Sequence, residues 1–441
     1  MTAESQALQR RYFEMLMGSQ FWSSETMIAH QRTQLGHLLR HARTQVPFYE
    51  HRLDKVFRSN GDIDFDRWLD IPIVRRPDLI AYREAMQPKA MPPGHHAIGT
   101  MSTSGTTGQA VTVTMSQLSM LASTAVAWRA HRWSDLDWSQ TFYMRGGADQ
   151  TASWPKGIPS GPWGPPWDDA ARRGKSFRLR NDTQLHEQVE FMDRIGAVYA
   201  SAGSSKHSRS LAVEATRLGY DIKLKAMLIN SETVEDADRT AIAQAFGAKL
   251  VELYSSKEGT HMAYRCPVDA NIWHVNAENL LVEILDDDGV PCLPGQTGHV
   301  IITPFFSTAQ PLIRYDQGDL AVAGGPCHCG RCLPTIGAIS GRVRHMFRHP
   351  DGRLISRGFP ADNLAVLDAE LAQYAQVAPT EYEIRYVPMN WEKVGDEKAF
   401  AKAFCEFFFP DSTIRFRRLR EIPLTAAGKF LEYVYEVPGA D

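Results

Sequence analysis

The middle of this 441-residue chain alternates strand-like and helix-like segments, and this order constrains the fold more than any other feature. Five segments carry the alternation: strand-like residues 197–200, 225–229 and 249–254, and helix-like residues 205–218 and 233–246. Gly219 and Gly247 follow the two helical segments, where glycine is suited to a helix C-cap. A βαβαβ order predicts an α/β fold with a parallel sheet, and ligands then bind beyond the carboxyl ends of the strands.

The regions on either side of this core have other patterns. Residues 1–90 are predicted to be largely helical, with Ala7, Tyr12, Met15 and Leu16 on one helix face and Ile28, Leu35, Leu38 and Leu39 on another. Residues 280–285, 299–303 and 320–323 alternate like antiparallel strands. Residues 154–167 are rich in proline, glycine and tryptophan and are predicted to be a covering loop.

Composition narrows the class of protein. The hydrophobic fraction of 43% and the charged fraction of 22% are ordinary for a globular protein of two or three domains. A net charge of −3 gives no reason to expect a nucleic acid or a membrane as partner. The sequence has no apolar run long enough to span a bilayer, and its polar start lacks the apolar core of a signal peptide. We therefore expect a cytoplasmic protein with reduced cysteines.

Residues 102–108 read Ser-Thr-Ser-Gly-Thr-Thr-Gly and are the first candidate for a ligand site. Glycines allow close backbone approach, and consecutive amides with hydroxyls form an anion-binding nest. The segment is not a P-loop of the lysine-containing type, because Gln109 stands where that lysine would be. A polar surface hairpin is the alternative interpretation.

Four further motifs follow in order: Tyr254 to Glu258, Arg314 to Asp319, Gly341 with Arg342, and residues 425–429, which end in Gly428 and Lys429. Together with residues 103–108, these motifs resemble those of the acyl-adenylate-forming enzymes. The short chain, the Cys-x-Cys stretch near residue 327 and the segment from Val46 to Tyr49 are most similar to the phenylacetate–CoA ligase family.

The resemblance implies a large N-terminal domain, residues 1–340, which binds AMP and the acyl substrate. It also implies a small, mobile C-terminal α+β domain, residues 341–441, which carries the Gly-Lys loop. The implied reaction is ATP-dependent adenylation of a carboxylic acid, with an aryl or arylacetic acid expected, followed by transfer of the acyl group to CoA. ATP, CoA and Mg²⁺ are the implied cofactors, and the partners are small molecules.

The resemblance also assigns roles to individual residues. Lys429 would be catalytic and Glu258 would ligate Mg²⁺, whereas Tyr254 would stack on adenine. Asp319 would accept hydrogen bonds from the ribose hydroxyls, and Arg342 would reach the ribose or the phosphates. The phosphates would be held by Ser104, Gly105, Thr106, Thr107 and Gly108. The adenine-pocket segment is matched loosely by Ser231 and Glu232.

Two departures from the family pattern weaken the resemblance. Gln109 removes a cation that often follows the phosphate loop, and Arg344 with His345 replaces the usual acidic pair of the hinge. The identity of the hinge residue is therefore left open. Two other functions are kept beside the CoA ligase: an adenylating enzyme that passes the acyl group to an amine or a carrier-protein thiol, and a non-catalytic nucleotide-binding protein. The sequence does not indicate an oligomeric state, and a homodimer is kept as an open alternative.

The cysteines suggest a second candidate site, which would bind a metal ion. Thiolates with an imidazole in a reduced compartment suggest tetrahedral Zn²⁺. Carried over from relatives with a structural zinc site, the ligands would be Cys266, His274, Cys327 and Cys329. Cys332 or His261 could replace one of them, and free buried cysteines are the alternative interpretation.

Overall fold

The computed structural model describes residues 2–102, 111–146, 153–230, 234–342, 347–350, 354–355, 359, 361–423 and 431–438. The chain forms two compact units. The first contains the described residues up to Ile339 except Gly318–Leu320, and the second contains Gly318–Leu320 and the described residues from Ser340 onward. Within the described ranges, no helix is both long enough and apolar enough to cross a membrane.

The first unit begins with helices α1 (Ala3–Ser19) and α2 (Ser24–Gln45), followed by short 3-10 turns and helix α3 (Arg76–Ala81). Thr2 and Ser23 cap the first two helices, because each side chain accepts a hydrogen bond from a backbone amide of the first turn. Leu35, Leu38 and Leu39 are buried on α2 as predicted. Ile28 is 49% exposed and Met27 is buried in its place, so the predicted α2 face was rotated by one residue at its start.

A sheet of twelve strands, counted over the described residues, forms the centre of this unit in the order β11-β12-β13-β14-β10-β9-β8-β7-β6-β3-β5-β4. Its parallel half contains β3 (Phe142–Arg145), β5 (Lys175–Leu179), β6 (Tyr199–Gly203), β7 (Ala226–Asn230) and β8 (Lys249–Ser256). This half confirms the predicted parallel core, because β6, β7 and β8 lie within three residues of the predicted boundaries at their starts and ends.

The other half continues the sheet with shorter connections. It contains β9 (Thr260–Arg265), β10 (Trp273–Val275), β11 (Leu280–Leu285), β12 (Thr297–Pro304), β13 (Tyr315–Ala323) and β14 (Thr335–Arg342). β9 pairs antiparallel with β8 on one side and with β10 on the other, and β11 pairs antiparallel with β12. Outside this sheet, β1 (Ala97–Ser102) and β2 (Thr112–Ser116) form an antiparallel pair. These two strands flank the predicted phosphate loop on either side.

Helices cover both faces of the sheet. On one face lie α5 (Leu185–Arg194), α6 (Ser205–Leu218) and α7 (Asp236–Phe246), which bury an apolar cluster that includes Leu211, Ile242 and Phe246. Gly219 and Gly247 take the left-handed conformation, with φ of 76° and 67°, and cap α6 and α7 as predicted. On the other face, α4 (Gln117–Trp133) and α2 enclose the larger core.

The Pro/Gly/Trp-rich segment is not simply a covering loop. Its residues Ile158–Pro162 form β4, which pairs antiparallel with β5 at the edge of the sheet. Proline is tolerated there because an edge strand leaves one row of amide positions unpaired. Trp163 follows β4 and is buried against Phe142, with ring centroids 5.0 Å apart. The segment therefore closes one edge of the sheet.

The second unit contains two small sheets and a helix. β15 (Phe347–Arg348) pairs with β16 (Leu354–Ile355). The larger sheet has the order β19-β18-β17-β20, with β17 (Ala369–Ala378), β18 (Glu381–Pro388), β19 (Thr413–Arg418) and β20 (Tyr433–Tyr435). Helix α8 (Glu397–Phe407) buries Phe400 and Phe404 against an aromatic cluster on this sheet. A first unit built on the large sheet and a separate α+β unit together confirm the predicted fold class.

A fully buried ion pair holds the first unit together. The Nη1 atom of Arg129, on α4, lies 2.6 Å from Oε1 of Glu278, and both side chains are inaccessible to solvent. Nη2 of Arg129 donates to Oδ1 of Asn276 over 2.8 Å, and Ser19 at the end of α1 donates to the same Glu278 oxygen. The pair therefore links α1, α4 and the turn that precedes β11.

We expect Glu278→Ala to destabilise the first unit by about 3–5 kcal/mol, because it leaves the Arg129 charge buried without a partner. Urea unfolding followed by circular dichroism measures the change. Glu190→Ala is the matched control: its partner Arg194 is partly exposed, and such pairs contribute less than about 1 kcal/mol. Equal midpoints for wild type and Glu278→Ala would contradict the assigned role.

Candidate active site and metal centre

The parallel strands bring their last residues to one edge of the sheet. The register pairs Met144 of β3 with Ser201 of β6, Gly203 with Ile229 of β7, and Asn230 with Leu253 of β8. Ligands of open α/β sheets bind beyond such an edge. The segment from Tyr254 to Glu258 begins within the last three residues of β8, so it lies at this edge, as the sequence predicted.

Glu258 lies in the turn between β8 and β9 and is only 4% exposed. Its Oε2 atom has no hydrogen-bond partner among the described residues. The amide of Gly259 is held by Oγ of Ser256 over 2.8 Å, which fixes the turn. The position is therefore a buried turn and not an exposed helix start. A buried carboxylate oxygen without a partner is costly unless a cation or donor meets it, and carboxylate oxygens suit hard divalent cations.

The other two assigned residues in this part of the chain lie on strands. Tyr254 is half-buried and packs against the larger core. Asp319 is 6% exposed in β13 and follows Gly318, whose φ is +69°. Arg314, which opens the same motif, is buried and donates to the carbonyls of Leu69 and Ile71 over 2.9 and 2.8 Å. Arg314 therefore anchors the start of β13 rather than facing a ligand.

The remaining assigned residues fall at places the structure does not describe. Ser104, Gly105, Thr106, Thr107 and Gly108 lie outside the described residues, as do Ser231, Glu232 and Lys429. Arg342 ends β14, but its side chain is also outside the described part of the structure. Their flanking elements are described: β1 and β2 around the loop, β7 before Ser231, and β20 after Lys429. The roles of these residues remain predictions.

The four predicted metal ligands come together in the first unit. The two sulfurs Sγ of Cys266 and Sγ of Cys327 are 3.7 Å apart, and Sγ of Cys329 is 3.2 Å from Nε2 of His274. All four ligand atoms lie within 4.8 Å of one another. Tetrahedral bonds of about 2.0–2.3 Å require ligand separations of roughly 3.3–3.8 Å, so these two pairs are close to the spacing of a metal site.

Local structure explains why the four ligands meet. Cys266 follows β9 and His274 lies on β10, its antiparallel neighbour, while Cys327 and Cys329 lie in the connection from β13 to β14. The amides of Val268 and Asp269 each donate to Sγ of Cys266 over 3.4 Å. Burial lowers the pKa of His274 to about 4, with Arg331 and Arg129 adding to the effect, so its imidazole is neutral near pH 7.

The two alternative ligands are excluded from this cluster. Cys332 is exposed, and its backbone amide donates to the carbonyl of Gln20. His261 lies elsewhere on β9, with Nδ1 3.2 Å from the hydroxyl of Tyr264, and burial lowers its pKa to about 4. The set proposed from the family resemblance is therefore the set that the fold assembles.

Sequence reasoning missed the side chains that support the cluster. Nη1 of Arg331 lies 3.5 Å from Sγ of Cys329, and its guanidinium stacks 4.6 Å from the ring of Trp133. The same tryptophan packs edge-on to His274 with ring centroids 5.6 Å apart. The position of Arg331 between Cys329 and Cys332 was a usable signal, because a cation beside thiolates stabilises their charge. Trp133, on α4, carried no such signal.

Comparison with known proteins gives one sequence relative and several structural ones. No family model matches the chain. It is 29% identical to phenylacetate-coenzyme A ligase of Thermus thermophilus over 36% of this chain and 37% of that protein. The chain thus matches little more than a third of the length of this curated relative.

Solved structures agree over more of the chain. A 2-hydroxyisobutyryl-CoA ligase in complex with its acyl-AMP, in the postadenylation state, superposes with a TM-score of 0.67 at 17% identity, covering 94% of this chain and 90% of that chain. The amide bond synthetase McbA of Marinactinospora thermotolerans superposes with a TM-score of 0.50 at 16% identity, covering 75% and 66%. These likenesses confirm the predicted resemblance to the acyl-adenylate-forming superfamily in fold, and to phenylacetate–CoA ligase in sequence.

Proposed function

We propose that the protein is an ATP-dependent ligase that adenylates a carboxylic acid and transfers the acyl group to CoA, releasing AMP and pyrophosphate. The observation that carries the proposal is Glu258, a buried carboxylate directly beyond the carboxyl end of β8, whose Oε2 atom has no hydrogen-bond partner among the described residues. It is the second of the ordered motifs on a fold that adenylate-forming ligases share. An aryl or arylacetic acid is the proposed substrate class, supported by the sequence relative.

The reaction would proceed in two displacements. An oxygen of the acid attacks the α-phosphorus of ATP, and the bond to the pyrophosphate oxygen breaks. The thiol sulfur of CoA then attacks the acyl carbon, AMP leaves with the electron pair, and the thiol proton passes to solvent. Catalysis of the first step depends mainly on positioning and on charge stabilisation. Ser104 to Gly108 would hold the β and γ phosphates, and Lys429 would stabilise the charge that develops on the reacting oxygens.

Nucleoside recognition would come from three side chains. Tyr254 would stack on the adenine, and Asp319 offers two adjacent acceptors for the ribose diol. Arg342 would reach the ribose or the phosphates, and Ser231 with Glu232 would border the adenine. Residues 341–441 would turn after adenylation, so that Lys429 leaves and the thiol enters.

Two metals fit the residues that are present. Glu258 would hold Mg²⁺ through its buried carboxylate, and the ion would neutralise charge on the phosphates. Cys266, His274, Cys327 and Cys329 would hold a structural Zn²⁺, because their number, chemistry and spacing suit four-coordinate zinc. The zinc set does not overlap with the residues proposed for the nucleotide.

A second acceptor class is kept as the alternative. The likeness to an amide bond synthetase supports only the fold, yet it is a reason to test an amine acceptor beside CoA and a carrier-protein thiol. Pyrophosphate release with a panel of acids, with and without CoA or hydroxylamine, separates the possibilities. Release that yields acyl-CoA supports the ligase, release with products formed on amines alone supports the alternative, and no release with any acid contradicts adenylation.

Lys429→Ala is expected to slow acyl-AMP formation by a factor on the order of 10²–10³, because a few kcal/mol of charge stabilisation in the transition state are lost. Thioester formation from preformed acyl-AMP should slow far less. Both rates can be measured by rapid quench, with the exposed Lys402 changed to alanine as the control. Equal losses in the two half-reactions would argue against this role for Lys429.

Asp319→Asn should weaken ATP binding by about 1.5–3 kcal/mol, because the ribose hydroxyls lose a charged acceptor while the side-chain volume is kept. Glu258→Gln should instead lower turnover and shift its Mg²⁺ dependence. Calorimetric titration with ATP measures the first effect, with the exposed Asp221→Asn as control. Unchanged ATP affinity in Asp319→Asn would mean that the ribose contact is wrongly assigned.

The purified protein should contain about one zinc per chain, and Cys329→Ser should lose it. Loss of the metal should lower the melting temperature, since binding energy at a structural site is folding energy. Elemental analysis of protein prepared without a metal-affinity tag tests this, with Cys405→Ser as the control. A metal content near zero would refute the site, and loss of adenylation at an unchanged melting temperature would make the metal catalytic instead.

A further inference from the structure

We infer that the acid substrate carries a second carboxylate, remote from the one that is adenylated, and that Arg145 binds it. This inference rests on the proposed function and narrows its substrate class. It places a specificity-determining residue between the motifs, at a position that the family resemblance does not assign.

Arg145 is the last residue of β3, at the carboxyl edge of the parallel sheet. The neighbouring strand β6 ends at Gly203, and helix α6 begins two residues later with Ser205. The side chain is thus at the edge where open α/β sheets bind ligands. Residues at this edge are reached by a ligand without any rearrangement of the core.

The guanidinium of Arg145 is fixed but not neutralised. Its Nη2 atom donates to the carbonyl of Asn181 over 2.7 Å, and its Nε atom is buried without a hydrogen-bond partner among the described residues. No carboxylate in the described part of the chain lies within 4.0 Å of it. Two neighbouring cations do have carboxylate partners. Nε of Arg180 is 2.7 Å from Oδ1 of Asp182, and Nζ of Lys206 is 2.9 Å from Oε2 of Glu235.

A half-buried cation without a counter-ion is an energetic cost that a bound anion would remove. Burial lowers the pKa of Arg145, although an arginine stays charged at any physiological pH. Arginine is also the side chain whose planar donors match a carboxylate with two parallel hydrogen bonds. Nη2 donates one of its two hydrogens to the Asn181 carbonyl, so its second hydrogen and Nη1, which share one edge of the guanidinium, remain to donate to such a group.

Asp182 interacts electrostatically with Arg145 but is paired with Arg180, and the other neighbours described next are uncharged. Oε1 of Gln188 accepts from the hydroxyl of Tyr143 over 2.9 Å and lies 3.0 Å from Nε2 of His207. An amide oxygen can only accept, so Nε2 of His207 carries the proton in this arrangement. Burial and the charge of Arg145 lower the pKa of His207 to about 3, so the ring stays neutral near pH 7. A ligand anion therefore meets the charge of Arg145 beside the uncharged polar groups of Tyr143, Gln188 and His207, while Asp182 is paired with Arg180.

The position suits the far end of the acid rather than the nucleoside. β6 and β7 separate β3 from β8, and strand spacing of about 4.8 Å puts the ends of β3 and β8 roughly 14 Å apart. Tyr254 and Glu258, proposed for adenine and Mg²⁺, belong to the β8 end. An acid that reacts at its first carboxylate near the phosphates could extend its second carboxylate toward Arg145.

The test compares matched acids in wild type and variants. Pyrophosphate release is measured with phenylacetate against its 2-, 3- and 4-carboxy derivatives, and with pentanoate against glutarate. We expect wild type to favour one of the dicarboxylates in kcat/KM by a factor on the order of 10². Arg145→Gln should lose that factor for the dicarboxylate and change the monocarboxylate by less than about threefold. Arg145→Lys should retain part of the preference, and the exposed Arg178→Gln should behave like wild type.

Binding without ATP separates failure of this inference from failure of the proposed function. If no acid releases pyrophosphate but calorimetry shows that a dicarboxylate binds wild type and not Arg145→Gln, the adenylation proposal fails and the Arg145 assignment stands. Equal preference for mono- and dicarboxylates in both proteins overturns the inference. An equal loss with all acids, together with weaker ATP binding, also overturns it, because Arg145 would then serve the nucleotide.

Discussion

The buried pair of Arg129 and Glu278 is the interaction on which the first unit depends. Arg129 is inaccessible to solvent, and its charge is matched by Glu278 and by the oxygen of Asn276. Such a pair gains little over apolar packing, but losing one partner leaves an unpaired charge in the interior. α1, α4 and the 276–279 turn must therefore keep one arrangement. This requirement fixes the helical start of the chain against the antiparallel half of the sheet.

The candidate metal centre is built onto this same arrangement. The Arg129 guanidinium lies 5.1 Å from the ring of Trp133, which packs on His274 and stacks with Arg331. Nε1 of Trp133 and Nε of Arg331 both donate to Oε1 of Gln20, over 2.7 and 3.1 Å. A metal held by these thiols and the imidazole would join β9, β10 and the β13 to β14 connection. β10 has three residues, so this cross-link would stabilise the weakest part of the sheet.

The sequence was sufficient to predict those helices and strands whose boundaries are set by neighbouring residues in the chain. The α6 boundaries were predicted to the residue, because Ser204 caps its start and Gly219 its end. β4 was missed, because its prolines are tolerated only at a sheet edge, which is a tertiary property. The buried ion pair could not be predicted either, since 149 positions separate its two charges. Short motifs did indicate the candidate site, and the four proposed metal ligands lie close together in the structure although they come from three segments.

The same reasoning explains where sequence motifs stop being informative about specificity. Motifs mark groups that every adenylation needs, because the nucleotide is the same whichever acid reacts. The acid is recognised by residues between the motifs, and their role depends on where the strands place them. Arg145 illustrates the proposal: in the sequence it is one arginine among many, and the fold sets it at the carboxyl edge, where no carboxylate of the described residues forms an ion pair with it. A buried donor that a substrate must satisfy discriminates more strongly than an apolar wall, because an analogue without the group leaves the donor unpaired.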